Sequence, residues 1–184
     1  MAQVDESEVR RLVREAVERA LARPSAAPGP AAGGRKRVAI GADHGGYALK
    51  EVLKRFIAEE LDWEVHDCGT HSGEAVDYPD YAAAVGRAVA SGECGRGIVV
   101  DAAGIGSTMA ANKIPGVRCA LCHDDATVRN AREHNDANVL ALGARVVNRG
   151  LATRMVRLFL ATPFGGGRHE RRVQKIMALE RGAG

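Results

Sequence analysis

The sequence predicts an α/β fold: a doubly wound, Rossmann-like parallel five-stranded sheet with helices on both faces, preceded by an N-terminal amphipathic helix on a linker. Three observations carry this. Short apolar runs alternate with amphipathic stretches from residue 37 onward. Runs such as 97–100 are apolar without alternation, as strands covered on both faces are. Glycines punctuate the strand ends, where a chain must turn sharply into a helix.

The elements follow in order. Residues 38–40 read as a strand, and 47–61 as a helix with Leu49, Val52, Leu53, Phe56, Ile57 and Leu61 on one face. A second strand surrounds Glu64 and Val65, a helix covers 81–90, and 97–100 is the third strand. A short helix over 107–113 leads to a strand over 118–122 and a helix over 124–134. The last strand is 139–142, followed by helices over 150–161 and 171–181.

Composition shifts near residue 24. Before it, Val9, Leu12, Val13, Ala16, Val17, Ala20 and Leu21 recur at helical spacing, Asp5 and Glu8 suit a capping box, and Arg11/Glu15 and Arg14/Glu18 occupy the opposite face. Residues 1–23 are therefore read as an amphipathic docking or targeting helix, 24–36 as a Pro/Ala/Gly-rich linker, and 37–184 as the α/β domain. A helix this short needs a surface for its apolar stripe. Its own domain, a second copy, or another protein's surface each offers one.

Hydrophobic residues make up 46% and charged residues 27% of the chain, the composition of a soluble globular protein, while only 4% are aromatic, which leaves the core to Val, Leu, Ile and Ala. The formal net charge is +3 and the arginines are dispersed, so nothing calls for nucleic acid. No secretory signal and no apolar run of membrane-spanning length is present, and the sequence reads as cytoplasmic. Cys119 and Cys122 form a C-x-x-C, but inside the apolar run 117–122 and with no second pair to complete a metal site. With Cys68 and Cys94 they are expected to be small core residues, and neither metal nor cofactor is expected.

Polar residues gather at four places. The first strand ends in Gly41-Ala42-Asp43-His44-Gly45-Gly46, with an acid and an imidazole at its mouth. The third ends in Asp101-Ala102-Ala103-Gly104-Ile105-Gly106-Ser107-Thr108, small residues leading into a helix start whose free N–H groups form an anion cradle. This is neither a dinucleotide fingerprint nor a Walker A loop. Asp101 either faces that cradle or caps the helix. The stretch 132–138, which holds His134 and Asn135, is dense in hydrogen-bonding side chains just before a core strand; it is a site or a turn of capping residues. Arg168 and Arg172 stand four apart on one face of a starting helix, which suits a phosphate dianion or a solvated basic face. His66, His71 and His123 lack such context and are expected to be surface or structural.

The stretches GADHGGYALK, DYPDYA, DAAGIGSTMAANKIPGVR, REHNDANVLALGARVV and GGRHERRV resemble, in order, the ribose-5-phosphate isomerase B family, which includes the subunits of galactose-6-phosphate isomerase. The resemblance covers roughly 37–180. It implies an aldose–ketose isomerase acting on a sugar phosphate, ribose 5-phosphate foremost. It implies that Asp43 and His44 lie at the sugar ring and phosphate, that Ala102, Ala103, Gly104, Ile105 and Gly106 wrap the substrate, and that His134 opens the furanose ring. Asn135 and Arg145 match substrate contacts, and Arg168 and Arg172 match a phosphate clamp supplied across a dimer interface, so that a homodimer or homotetramer with shared active sites is implied.

One departure matters. Many members carry Cys-Gly-Thr, with the cysteine as base, where this chain has Asp101-Ala102-Ala103; another branch places a glutamate where this chain has Ser107. Asp101 is the expected substitute base, in an apolar setting made by Ala102 and Ala103, with the amides of residues 104–107 for the enediolate oxygen. The variant loop resembles one galactose-6-phosphate isomerase subunit and microcompartment-associated members. Residues 5–22 are accordingly expected to bind a microcompartment shell protein, placing the enzyme in that lumen; a non-catalytic sugar-phosphate-binding partner subunit is the alternative.

Overall fold

The structure, a computed structural model, describes residues 36–180. The predicted helix over 1–23 and all but the last residue of the predicted linker lie outside the described residues.

Five strands alternate with helices: β1 (Arg37–Ala42), α1 (Tyr47–Glu60), β2 (Glu64–Asp67), α2 (Tyr78–Ala90), β3 (Arg96–Asp101), α3 (Ile105–Ala111), β4 (Cys119–Leu121), α4 (Asp125–Asn135), β5 (Val139–Gly143) and α5 (Arg149–Ala161). A 3₁₀ turn (Gly167–His169) and α6 (Glu170–Leu179) complete the described chain. The sheet order is β2-β1-β3-β5-β4, and every pairing is parallel.

The strands are apolar on both faces because both are covered. Val38, Ile40, Ile98, Val100, Leu140 and Leu142 pack with Leu53 and Ile57 of α1, Val128 of α4 and Met155, Val156 and Phe159 of α5. The alternate residues Ala39, Val99, Val139 and Ala141 pack with Ala82, Val85 and Val89 of α2 and Ala111 of α3. Each fully buried Leu, Ile or Phe contributes about 1.5–3 kcal/mol by leaving water.

Differences from the predicted boundaries have local causes. The helix expected to begin at Tyr81 begins at Tyr78, since Pro79 falls in the first turn, where a missing N–H costs nothing. The helix expected over 171–181 is preceded by a 3₁₀ turn, so Arg168 and Arg172 sit in different helical forms rather than one turn apart on a single α-helix. Between β1 and β3 the chain reverses direction across the sheet, and the crevice above their C-terminal ends is the switch point of the fold.

Candidate active site

Three loops meet above that crevice. After β1, the Asp43 carboxylate is 8% exposed, and its Oδ1 accepts the Gly46 N–H at 2.9 Å, closing the turn into α1. Gly46 lies so close to the Val100 carbonyl of β3 that a Cβ there would collide with it. His44 is exposed, and its Nδ1 lies 3.2 Å from the Val76 carbonyl oxygen and 3.3 Å from the Val76 N, so that the Val76 backbone engages Nδ1 and Nε2 is the other ring nitrogen.

After β3, Asp101 is 5% exposed and folds back onto its own loop. Oδ1 accepts the N–H of Ala103 at 2.9 Å and that of Gly104, while Oδ2 accepts the N–H of Ser107 at 3.0 Å. The expected apolar setting is therefore a ring of amides. Of the amides expected to serve an enediolate oxygen, those of Gly104 and Ser107 are engaged by Asp101; those of Ile105 and Gly106, in the first turn of α3, have no partner among the described residues. Gly104 has φ of 81°, and a Cβ there would strike Leu121. Ala102 and Ala103 are exposed to differing degrees at the rim, and the Tyr78 ring lies on Gly106. After β5, the Ala144 N–H donates to the Asp101 carbonyl at 2.8 Å and the Arg145 N–H to that of Ala102 at 3.0 Å, leaving the Arg145 side chain exposed beside the β3 loop.

The remaining predicted residues lie elsewhere. α4 starts beyond the C-terminal end of β4 and runs back for 11 residues, about 16 Å at 1.5 Å per residue, so its last turn sits at the opposite edge of the sheet. There Asn138 joins the starts of three strands: its N–H donates to Arg118 O, and its own carbonyl accepts the Gly97 N–H. His134 and Asn135 are in that last turn, and the Gly165 N–H donates to Glu133 O at 2.9 Å, which brings the segment carrying Arg168 alongside. The His134 and His169 rings stack with centroids 4.1 Å apart and planes within 6°. Arg168 and Arg172 are both exposed.

The predicted residues thus form two half-sites in one chain. Asp43, His44, the 101–107 loop and Arg145 stand at the C-terminal edge of the sheet; His134, Asn135 and Arg168 stand at the N-terminal edge. A single hollow within one protomer, which sequence left open, is not what the chain builds. Tyr78 and His169 were not singled out from sequence, although both fall within the distinctive stretches; only their contacts with Gly106 and His134 mark them. Burial, working against hydration of His169, and the positive charge of its neighbours His134, Arg168 and Arg172 hold its pKa below the usual imidazole value.

The other singled-out residues are structural or lie at the surface. Cys119 and Cys122 are buried, and burial pushes their thiols up to about 12 and about 11. All four cysteines are free. His66 lies 3.6 Å from Glu93, His71 lies 3.7 Å from Asp67, and His123 donates its N–H to Thr127. Among the described residues no cluster of His, Cys, Asp or Glu could hold a metal ion, and no helix is long and apolar enough to cross a membrane.

Fold and loops together define a small-molecule enzyme of the Rossmann-like class, its polar residues gathered at strand ends around a switch point. The profile of the ribose/galactose isomerase family matches residues 38–176. The chain is 43% identical to ribose-5-phosphate isomerase B of Escherichia coli K12 over 145 residues, 79% of this chain and 97% of that protein. Its fold superposes on ribose-5-phosphate isomerase B of Clostridium thermocellum with a TM-score of 0.78 and 49% identity, covering 80% of this chain and 99% of that one. The type B ribose 5-phosphate isomerase of Trypanosoma brucei gives a TM-score of 0.76 and 48% identity, at 80% and 99% coverage. The chain belongs to the ribose/galactose isomerase family and is a sugar-phosphate isomerase.

Proposed function

We propose that the protein interconverts ribose 5-phosphate and ribulose 5-phosphate in an active site assembled from two copies of the chain. The observation that carries this reading is the separation of the half-sites: each is incomplete, and they stand at opposite edges of one sheet. A two-fold axis beside the free edge of β4 sets strands of two copies antiparallel and brings the C-terminal edge of one to the N-terminal edge of the other. The surface there suits such contact. An apolar groove of about 440 Å³ lined by Cys119, Leu121, Ala131, Ala137 and Ile176 runs along β4, and Ile105 and Met109 of α3 are 52% and 64% exposed.

In the assembled site, Arg168 and Arg172 of one copy hold the phosphate, and His134 protonates the ring oxygen as the furanose opens. Asp43, His44, Asn135 and Arg145 contact the sugar. Asp101 then moves a proton between C1 and C2 of the open chain through a cis-enediolate. Its Oδ2 accepts one N–H only and keeps a lone pair for that work. The N–H groups of Ile105 and Gly106 face the developing oxyanion. Complementation tests the shared site. His134→Gln and Asp101→Ala variants, each inactive alone, are mixed after subunit exchange; half the dimers are mixed and carry one intact site, giving about one quarter of wild-type turnover. No recovery would place the whole site within one chain.

One observation favours a second reading, a non-catalytic sugar-phosphate-binding partner subunit: the position of the family's cysteine is held by an aspartate engaged by three amides. Turnover of ribose 5-phosphate by the purified chain alone decides between the two. We further propose that residues 5–22 bind a microcompartment shell protein through the stripe Val9, Leu12, Val13, Ala16, Val17, Ala20 and Leu21. Residues 1–34 fused to a fluorescent protein should concentrate in assembled shells, and diffuse fluorescence would overturn it.

A further inference from the structure

We propose that His169 is a positioning residue for His134, fixing the plane of that imidazole and so holding its Nδ1 on the Asn130 amide that sets its tautomer; the activity arm of the proposal rests on the isomerase reading above. The hydrogen-bond chain around the pair is anchored at groups whose roles cannot reverse. The backbone carbonyl of Asn130 can only accept, so Asn135 Nδ2, 3.1 Å away, is its donor. The same Nδ2 lies 3.0 Å from Asn130 Oδ1, which orients the Asn130 amide and leaves its Nδ2 facing His134 Nδ1 at 2.9 Å. His134 Nδ1 is therefore an acceptor, and the proton sits on Nε2, the nitrogen free to meet a sugar oxygen.

A second fixed donor governs the other ring. The Arg168 Nε–H can only donate, and it faces His169 Nε2 at 3.4 Å, so His169 is neutral with its proton on Nδ1. The charges of Arg168 and Arg172 oppose a further proton on it. A neutral ring stacked at 4.1 Å blocks rotation of His134 about its ring torsion, which is otherwise broad. The Gly165 N–H to Glu133 O bond ties the backbone of one partner to that of the other, so the stack is held from both sides. His169 thus couples the phosphate-clamp segment to the proton donor.

His169→Ala and His169→Phe, made in the full chain, test this. Expected for His169→Ala is a fall in kcat for ribose 5-phosphate of about tenfold with KM changed less than about twofold, since geometry and not binding is lost. His169→Phe keeps a stacked ring and should return kcat to within about threefold of wild type. The ¹⁵N shifts of the His134 ring nitrogens, read without substrate, should report the single Nε2–H tautomer in wild type and the Phe variant and a mixture of tautomers in the Ala variant. Unchanged shifts in His169→Ala, or no recovery with Phe, would overturn the proposal. Wild-type protein inactive on ribose 5-phosphate would instead overturn the isomerase reading and leave the ¹⁵N test standing.

Discussion

The Asp101 carboxylate reaches six residues along its own chain to accept the Ser107 N–H at 3.0 Å, while its other oxygen holds the N–H groups of Ala103 and Gly104. One side chain thereby closes the whole turn between β3 and α3. Sequence spacing alone offered two roles for this residue, cap and base. The geometry shows the capping contacts and leaves one lone pair on Oδ2 beyond them.

Substitution separates the roles. Asp101→Asn puts an NH₂ or a single oxygen where the carboxylate serves donors on both sides, so at least one buried N–H loses its partner, a cost of about 1–3 kcal/mol. If Asp101 is also the proton shuttle, kcat falls about 10²–10⁴-fold. Thermal melts and steady-state rates on the same preparation read both. A lowered Tm with turnover retained would confine Asp101 to the loop.

Gly104 makes a sharper test of the same turn. Its φ of 81° and its approach to Leu121 leave no room for a methyl group. Gly104→Ala is expected to cost on the order of 1–3 kcal/mol and to lower turnover by disturbing the amides of Ile105 and Gly106. Gly73, which has open space around it, is the control: Gly73→Ala should change neither stability nor rate measurably.

The four thiols should be inert in the folded protein. Burial pushes Cys68 and Cys119 up to about 12 and Cys94 and Cys122 up to about 11, against the opposing pull of Arg37 on Cys94 and of the Thr108 and Thr127 hydroxyls on Cys119 and Cys122. With a thiol reagent at pH 8, no rapid phase is expected until denaturant is added, after which all four react. Fast labelling of Cys119 or Cys122 would reopen a redox role for the C-x-x-C.

The fold was legible because it depends on periodicity. The unbroken apolar runs at 97–100 and 139–142 can only be strands covered twice, and the strand and helix positions followed within a few residues. The site was legible as a set of residues but not as a place. Motif order names Asp43, Asp101, His134 and Arg168; whether they converge depends on which end of the sheet each loop occupies, and α4 carries His134 to the far edge. The amide ring around Asp101 was illegible because it depends on φ at Gly104, which spacing does not record. The stack of His134 on His169 joins residues 35 apart through the turn at Gly165, a contact no local pattern encodes.

At the β2 edge, Lys50 is fully buried and its ammonium lies 2.8 and 2.9 Å from the two oxygens of Asp67, with Glu51 at 3.0 Å and Lys54 on the same carboxylate. Burial works to raise the Asp67 pKa, but hydrogen bonds from Lys50 and Lys54 and from the Gly69 N–H outweigh it and hold it at about 2, below the ordinary 3.8. A carboxylate with a depressed folded pKa adds stability that is present in full above about pH 4 and lost as pH falls through about 2, because the unfolded chain takes up the proton first. The wild-type protein should therefore lose stability progressively between about pH 4 and pH 2, and Asp67→Asn should flatten that slope. At pH 7 the same variant leaves Lys50 buried without its main partner, at a cost of about 3–5 kcal/mol. Denaturant melts from pH 2 to 7 on both proteins check the sign and the size. A slope identical in the two would move the acid sensitivity to other carboxylates and reduce the Lys50–Asp67 pair to a local packing feature.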